Sequence, residues 1–138
     1  KLCGEALPTL RLFAEHLAQW GEELGLVGPR ELDRLWTRHI LNSALVAHKI
    51  GTGTLIDIGS GAGFPGLVIA AIRPDVQCTL IEPLGRRAHW LREEAGYRFT
   101  TWKCSKSSQF INSRCNHSWR IEVNWFIQDC RCITHILE

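Results

Sequence analysis

A chain of 138 residues is about one domain's worth of polypeptide, and with 45% hydrophobic and 22% charged residues it has the composition of a globular protein able to bury a core. No apolar run approaches the roughly 18 residues of a membrane span, and the N-terminal residues show no charged, apolar and cleavage regions of a secretion signal, so the expected location is the cytoplasm. The formal net charge of +2 divides into 10 Lys and Arg against 11 Asp and Glu up to Gly96, and 6 against 3 beyond it, which leaves the body without the charge excess of a bulk nucleic-acid binder.

The chain opens on Lys1 and contains no methionine, so the natural start is expected upstream. Leu10, Phe13, Leu17, Trp20 and Leu24 recur at spacings of 3, 4, 3 and 4, which predicts one helix with a single apolar stripe. Pro8 suits its first turn, and Gly25-Leu-Val-Gly-Pro29 is expected to end it. A second helix is predicted from Glu31 to Ile50, with Leu32, Leu35, Trp36, Ile40 and Leu41 facing inward, before Gly51-Thr-Gly53 breaks it. Residues 1–50 therefore read as an N-terminal helical segment.

From Thr54 the period changes. Thr54–Ile58 is a short β-rich run that enters Gly59-Ser-Gly-Ala-Gly-Phe-Pro-Gly66, and Pro65 suits the first turn of a helix over Leu67–Ile72. Arg73-Pro-Asp75 closes that helix, Gln77–Ile81 forms a second strand ending at Glu82, and a third helix runs from Leu84 to Ala95. Strand, glycine turn, helix, strand, acid, helix is the order of the first half of a Rossmann-like parallel sheet, so the predicted class is α/β with residues 51–96 supplying that half.

Composition shifts at Gly96. All 12 Gly, all 5 Pro and 16 of the 17 Leu precede or include that position, while residues 97–138 hold 4 of the 6 Cys and 5 of the 7 Ser. Residues 97–138 accordingly read as a separate tail from a shifted or foreign frame. The stretch Arg120–Ile127 is β-compatible but lacks turn punctuation, so the first strand is expected to lack one neighbour and the parallel sheet to be truncated. Cys104, Cys115, Cys130 and Cys132 with His117 and His135 offer only Cys130-Arg-Cys132 and no C-x-x-C, so no metal is expected, nor are disulfides in a cytoplasmic setting.

Glycines in a strand-to-helix turn remove the Cβ atoms that would keep a ligand off the backbone, and a new helix offers unpaired N–H groups. Glu82 lies 23 residues after Gly59, near the spacing at which an acid on the second strand meets a ribose diol. The plain alternatives are a tight structural turn and a solvated charge at a strand end. Gly61-Ala-Gly-Phe-Pro-Gly66 formally matches the dinucleotide pattern, but Asp57 would repel a pyrophosphate about 5 Å away by roughly 3 kcal/mol at an effective dielectric of 20. The same carboxylate suits the sulfonium and ammonium of S-adenosylmethionine, which carries no phosphate.

Arg38-His-Ile-Leu-Asn-Ser43, Leu55–Gly66, Arg73-Pro-Asp75, Thr79-Leu-Ile-Glu-Pro-Leu84 and Arg86-Arg-Ala-His-Trp-Leu91, in this order, resemble the RsmG family, also called GidB. These are bacterial enzymes that methylate N7 of a guanine in small-subunit ribosomal RNA. The resemblance covers about residues 7–95 and has no counterpart in residues 97–138. It implies a Rossmann-like S-adenosylmethionine-dependent methyltransferase fold acting on 16S rRNA or the small ribosomal subunit; the chain, if folded, is expected to be a monomer.

Residue by residue, the resemblance puts Gly59 and Phe64 on the cofactor, Asp57, Ser60 and Gly61 at its methionine end, Gly63 in the same turn and Glu82 on the ribose. Arg38 and His39, and Arg86 and Arg87, are candidates for RNA phosphate, with local pairing or a solvated face as the plain alternative. Guanine N7 bears a lone pair and no proton, so no nucleophile or general base is assigned. Two other readings stay open: a catalytically inactive remnant of that enzyme, and a nucleotide-dependent oxidoreductase.

Overall fold

Leu10, Phe13, Ala14 and Leu17 fall on one face of a helix, α1 (Leu7–Trp20), and that face is buried. Pro8 sits in its first turn, where a missing N–H costs nothing. The computed structural model describes residues 2–98, 102–105 and 130–132. The helix stops earlier than the apolar spacing predicts, because the chain folds back on Gly21. Leu26 and Val27 both donate to the Gly21 carbonyl, at 2.8 and 3.2 Å. A Cβ at Gly21 would lie 2.5 Å from the Val27 Cγ2, so only glycine admits this return. Trp20 is consequently 43% exposed rather than part of the stripe, and Leu24 is half-buried.

The single helix predicted over residues 31–50 is instead three pieces: α2 (Pro29–Leu32), a π-helical turn (Leu35–Ile40) and α3 (Leu41–Ala47). The inward residues explain the break. Leu35, Ile40, Ala44 and Ala47 are buried, and the step from Leu35 to Ile40 is one residue longer than a regular helix allows on one face. A wide turn absorbs it, with the Leu41 N–H donating to the Trp36 carbonyl. Leu32, Trp36 and Leu41, expected inside, are half-buried.

Strand β1 (Gly53–Ile58), helix α4 (Gly66–Ile72), strand β2 (Val76–Ile81) and helix α5 (Gly85–Arg98) follow in the predicted order. β1 and β2 are parallel, with Leu55 opposite Cys78 and Asp57 opposite Leu80. Because strand side chains alternate, Leu55, Asp57, Val76, Cys78 and Leu80 share the buried face, while Ile56, Ile58, Thr79 and Ile81 on the other are half-buried. α4 packs on α1, α3 and β2, so the N-terminal helices and the sheet share one core. Arg73, just past α4, ties them further: its Nη1 donates to the carbonyls of Ala47 and Ile50 at 3.0 Å each, and its Nη2 meets Asp75 at 2.6 Å.

The tail contributes more than expected. Strand β3 (Trp102–Ser105) pairs parallel with β2, and β4 (Cys130–Cys132) pairs parallel with β1 through Thr54, Leu55 and Ile56, so the strand order is β3-β2-β1-β4. The first strand therefore has neighbours on both edges, which corrects the expectation that it lacks one. Backbone pairing needs only a short extended run, and Cys130-Arg-Cys132 supplies one without any Gly or Pro nearby. Arg120–Ile127, Cys115, His117 and His135 lie outside the described residues. Among the described residues, no helix is long and apolar enough to cross a membrane and no cluster of potential metal ligands forms. Cys3 and Cys78 are buried free thiols.

The approach of α4 to the sheet depends on Gly66, where an added Cβ would lie 2.2 Å from Leu80 Cδ2 and 2.5 Å from Asp57 Oδ2. Both neighbours are buried and cannot swing away. Gly66→Ala is expected to destabilise the chain by about 1–3 kcal/mol in urea unfolding, the usual range for overpacking a core; a midpoint equal to that of the parent chain would show that the contact is not tight.

Candidate functional site

The turn between β1 and α4 is built from backbone conformations that glycine favours. Gly59 has φ +80° and Gly63 has φ +112°. The Gly59 and Ser60 N–H groups cross to the Ile81 carbonyl at the end of β2, at 2.8 and 3.2 Å, so the turn spans the carboxyl ends of both strands. Gly63 is close-packed: a Cβ there would meet Leu67 Cδ1 at 2.6 Å. Gly59 is the opposite, with no heavy atom within 4 Å of where its Cβ would lie. Trp90 of α5 braces the turn from the buried side, its indole N–H donating to the Ala62 carbonyl at 3.0 Å.

Two acids hold this turn. Glu82, 3% exposed, accepts the Gly61 N–H on Oε2 at 2.9 Å and the Leu84 N–H on Oε1 at 2.8 Å. Each carboxylate oxygen has a second lone pair, so these bonds leave acceptor capacity for a pair of hydroxyls. Asp57 lies beneath the turn, its Oδ2 accepting the Gly66 N–H at 3.0 Å at the start of α4, while the Ser60 hydroxyl donates to the Asp57 carbonyl at 2.9 Å. Burial pushes the Asp57 carboxyl up to about 6; the Gly66 N–H and Ser60 hydroxyl pull it down, and the Glu82 charge adds to the rise.

The remaining candidates are disposed on either side. His39 stacks on Phe64, with ring centroids 5.0 Å apart and planes inclined by 29°, and so reaches the turn. Arg38 does not: its Nη1 donates to Glu31 Oε1 at 3.0 Å, and its side chain is 56% exposed. Arg87 donates through Nη2 to the Gly25 carbonyl at 3.1 Å, and an Arg86 guanidinium nitrogen lies 3.1 Å from where a Gly25 Cβ would be. Both arginines thus pack against the loop after α1, at the start of α5. The structure therefore gathers Asp57, Gly59, Ser60, Gly61, Gly63, Phe64, Glu82 and His39 at one end of the sheet. Sequence reasoning missed Glu31, which holds Arg38 and His39 across a helix break that the regular spacing conceals. It also missed the Trp90 brace, visible in sequence only as part of the Arg86–Leu91 segment.

A parallel sheet whose first strand runs into a glycine turn, with a buried acid ending the neighbouring strand, is a Rossmann-like arrangement. Comparison with known proteins makes this specific. A family model described as rRNA small subunit methyltransferase G matches residues 6–101. The chain is 57% identical over 94 residues to the ribosomal RNA small subunit methyltransferase G of Leifsonia xyli subsp. xyli, covering 68% of this chain and 45% of that protein. It is 54% identical over 96 residues to the protein of the same name from Clavibacter sepedonicus, covering 70% and 46%. For that of Mycobacterium sp. (strain KMS) the identity is 55% over 91 residues, covering 65% and 40%. The chain belongs to the rRNA small subunit methyltransferase G family. It spans less than half the length of these relatives, and β3 and β4 lie beyond the residues that the family model matches.

The Asp57 environment has a consequence for stability. Its folded pKa of about 6 lies above the ordinary 3.8, so the native chain holds this proton more tightly than the unfolded chain does. The associated stability is fully present below pH 4 and is lost as pH rises through about 6, on the order of 3 kcal/mol in total. Asp57→Asn keeps an acceptor for the Gly66 N–H and removes the charge. Urea unfolding between pH 4 and 7 is expected to show this fall in the parent chain and a flatter profile in the variant; parallel profiles would assign the pH dependence elsewhere.

Proposed function

We propose that this chain carries the S-adenosylmethionine site of a methyltransferase acting on N7 of a guanine in 16S ribosomal RNA, in the cytoplasm and as a monomer. The observation that carries the proposal is the opening over Gly59, beside the Glu82 carboxylate at the ends of β1 and β2. Family membership supports the reaction class, since the relatives are named as ribosomal RNA small subunit methyltransferases.

The residues fit such a ligand. Glu82, already fixed by two backbone N–H groups, has lone pairs left to accept both ribose hydroxyls. Gly59 and Gly61 present backbone without side-chain bulk, Ser60 turns its hydroxyl back onto the Asp57 carbonyl, Gly63 packs against Leu67, and Phe64 gives the turn an aromatic flank. Asp57, ionised above about pH 6, puts negative charge under the turn, which suits a cationic ligand and disfavours a pyrophosphate. When bound, the donor supplies an electrophilic methyl on a sulfonium. Guanine N7 offers an in-plane lone pair with no proton to remove, so the chain's task is to hold the two in attack geometry rather than to act as acid or base. Arg86 and Arg87, at the rim beside Gly25, suit contacts to RNA phosphate. Arg38 would first have to leave Glu31.

A second reading, donor binding with little transfer, is favoured by the sheet face at Ile56, Ile58, Thr79 and Ile81, which is only half-buried where parallel sheets are ordinarily covered. Isothermal titration is expected to show S-adenosylhomocysteine binding more tightly than NAD, and the reverse order would replace the proposal with a dinucleotide enzyme. Transfer of labelled methyl to undermethylated small subunits is expected to be weaker than that of the Leifsonia relative; equal transfer would eliminate the second reading.

A further inference from the structure

The π-helical turn over Leu35–Ile40 widens the helix just where His39 lies, and the imidazole stacks on Phe64 of the glycine turn. The ring is gripped from its other end as well: its Nε2 is 2.9 Å from Glu31 Oε2. Glu31 is held below the usual carboxylate range, first by the His39 bond and then by the charges of Arg38, His39 and Arg34. An ionised carboxylate can only accept, so His39 Nε2 carries a proton and donates it. Arg38 Nη1 occupies Oε1 at 3.0 Å and fixes the carboxylate's rotation. Beyond Phe64 the contacts continue inward, to Phe13 with centroids 5.4 Å apart and from Phe13 to Trp90 at 6.5 Å.

The glycine turn is therefore held on its buried side by the Trp90 indole on Ala62, and on its outer side by His39 on Phe64. The outer hold depends on a partly exposed hydrogen-bonded pair that contributes little to the fold as a whole. His39 and Glu31 side chains are 29% and 32% exposed, and water screens such a pair to a small fraction of global stability. Its effect is local, on where the imidazole and hence Phe64 sit.

We infer that Glu31 is a positioning residue for the site at the glycine turn: by fixing His39 through Nε2 it keeps the imidazole against Phe64, and so sets the shape of the turn from Gly61 to Pro65. The inference deepens the proposed donor site, and rests on that reading for its ligand measurement only.

The test compares Glu31→Ala, Glu31→Gln, His39→Phe and the Glu31→Ala/His39→Phe pair. Three measurements are made on each: amide resonances of Gly61 and Gly63 in the ligand-free chain, calorimetric affinity for S-adenosylhomocysteine, and the thermal melt. Glu31→Ala is expected to shift both amides and to weaken binding about five-fold, the scale of one hydrogen bond, with the melt unchanged. Glu31→Gln, which retains an acceptor, should recover most of both. In the His39→Phe background, where the ring stacks but has no Nε2, removing Glu31 should change neither. Unmoved amides in Glu31→Ala, an equal effect in the His39→Phe background, or a fall in the melt large enough to explain the lost affinity would each overturn the inference. If the parent chain binds no S-adenosylhomocysteine, the donor reading fails, and the amide shifts still decide the role of Glu31.

Discussion

A carboxylate that is 3% exposed must find donors, and Glu82 finds them in two separate elements, the glycine turn at Gly61 and the approach to α5 at Leu84. Hydrogen bonds to a charged group contribute roughly 1.5–3 kcal/mol each, enough to fix the relative position of two loops that would otherwise be independent. Asp57 repeats the device one strand over, joining the end of β1 to the start of α4 through Gly66. The Glu82 charge adds to the cost of ionising Asp57, which burial has already raised. The proposed site for a cationic ligand and a scaffold for the turn thus draw on the same side chains.

What could be read from the sequence, and what could not, follows from which signals are local. β1, α4 and β2 begin within a residue of their expected positions because Gly and Pro mark every boundary between them. The acid at the end of the second strand was legible for the same reason. The region 31–50 was not, because Leu32, Leu35, Trp36, Ile40 and Leu41 fit an unbroken helix as well as a broken one. Only the demand that Leu35 and Ile40 face one core reveals the extra residue between them. Trp20 was misplaced because its spacing continues the stripe, whereas the return of Leu26 and Val27 onto Gly21 ends the helix first. Glu31 and His39 were invisible as a pair, since their separation of eight residues has meaning only across the break.

The sheet is asymmetric in a way that bears on the site. Its face carrying Leu55, Val76, Cys78 and Leu80 is sealed by helices, while Ile56, Ile58, Thr79 and Ile81 on the other are half-buried. Parallel sheets are ordinarily covered on both faces. With the order β3-β2-β1-β4, the strand order reverses at β1, and the crevice beyond such a reversal is where open α/β sheets take their ligands. The glycine turn leaves β1 at that place, so topology and local conformation select the same location.

The central strand also has two unequal histories. On one edge Ile56 lies beside Thr79, a partner reached through a single helix; on the other it lies beside Cys132, far along the chain. Closing the longer loop costs about 1 kcal/mol more in chain entropy than closing the shorter, because that cost grows only with the logarithm of length. The larger difference is kinetic. Contacts between residues distant in sequence form slowly, so during folding β1 acquires β2 early and waits for β4 with one row of backbone groups bare. A newly made chain therefore passes through a stage at which another extended segment can compete for that edge.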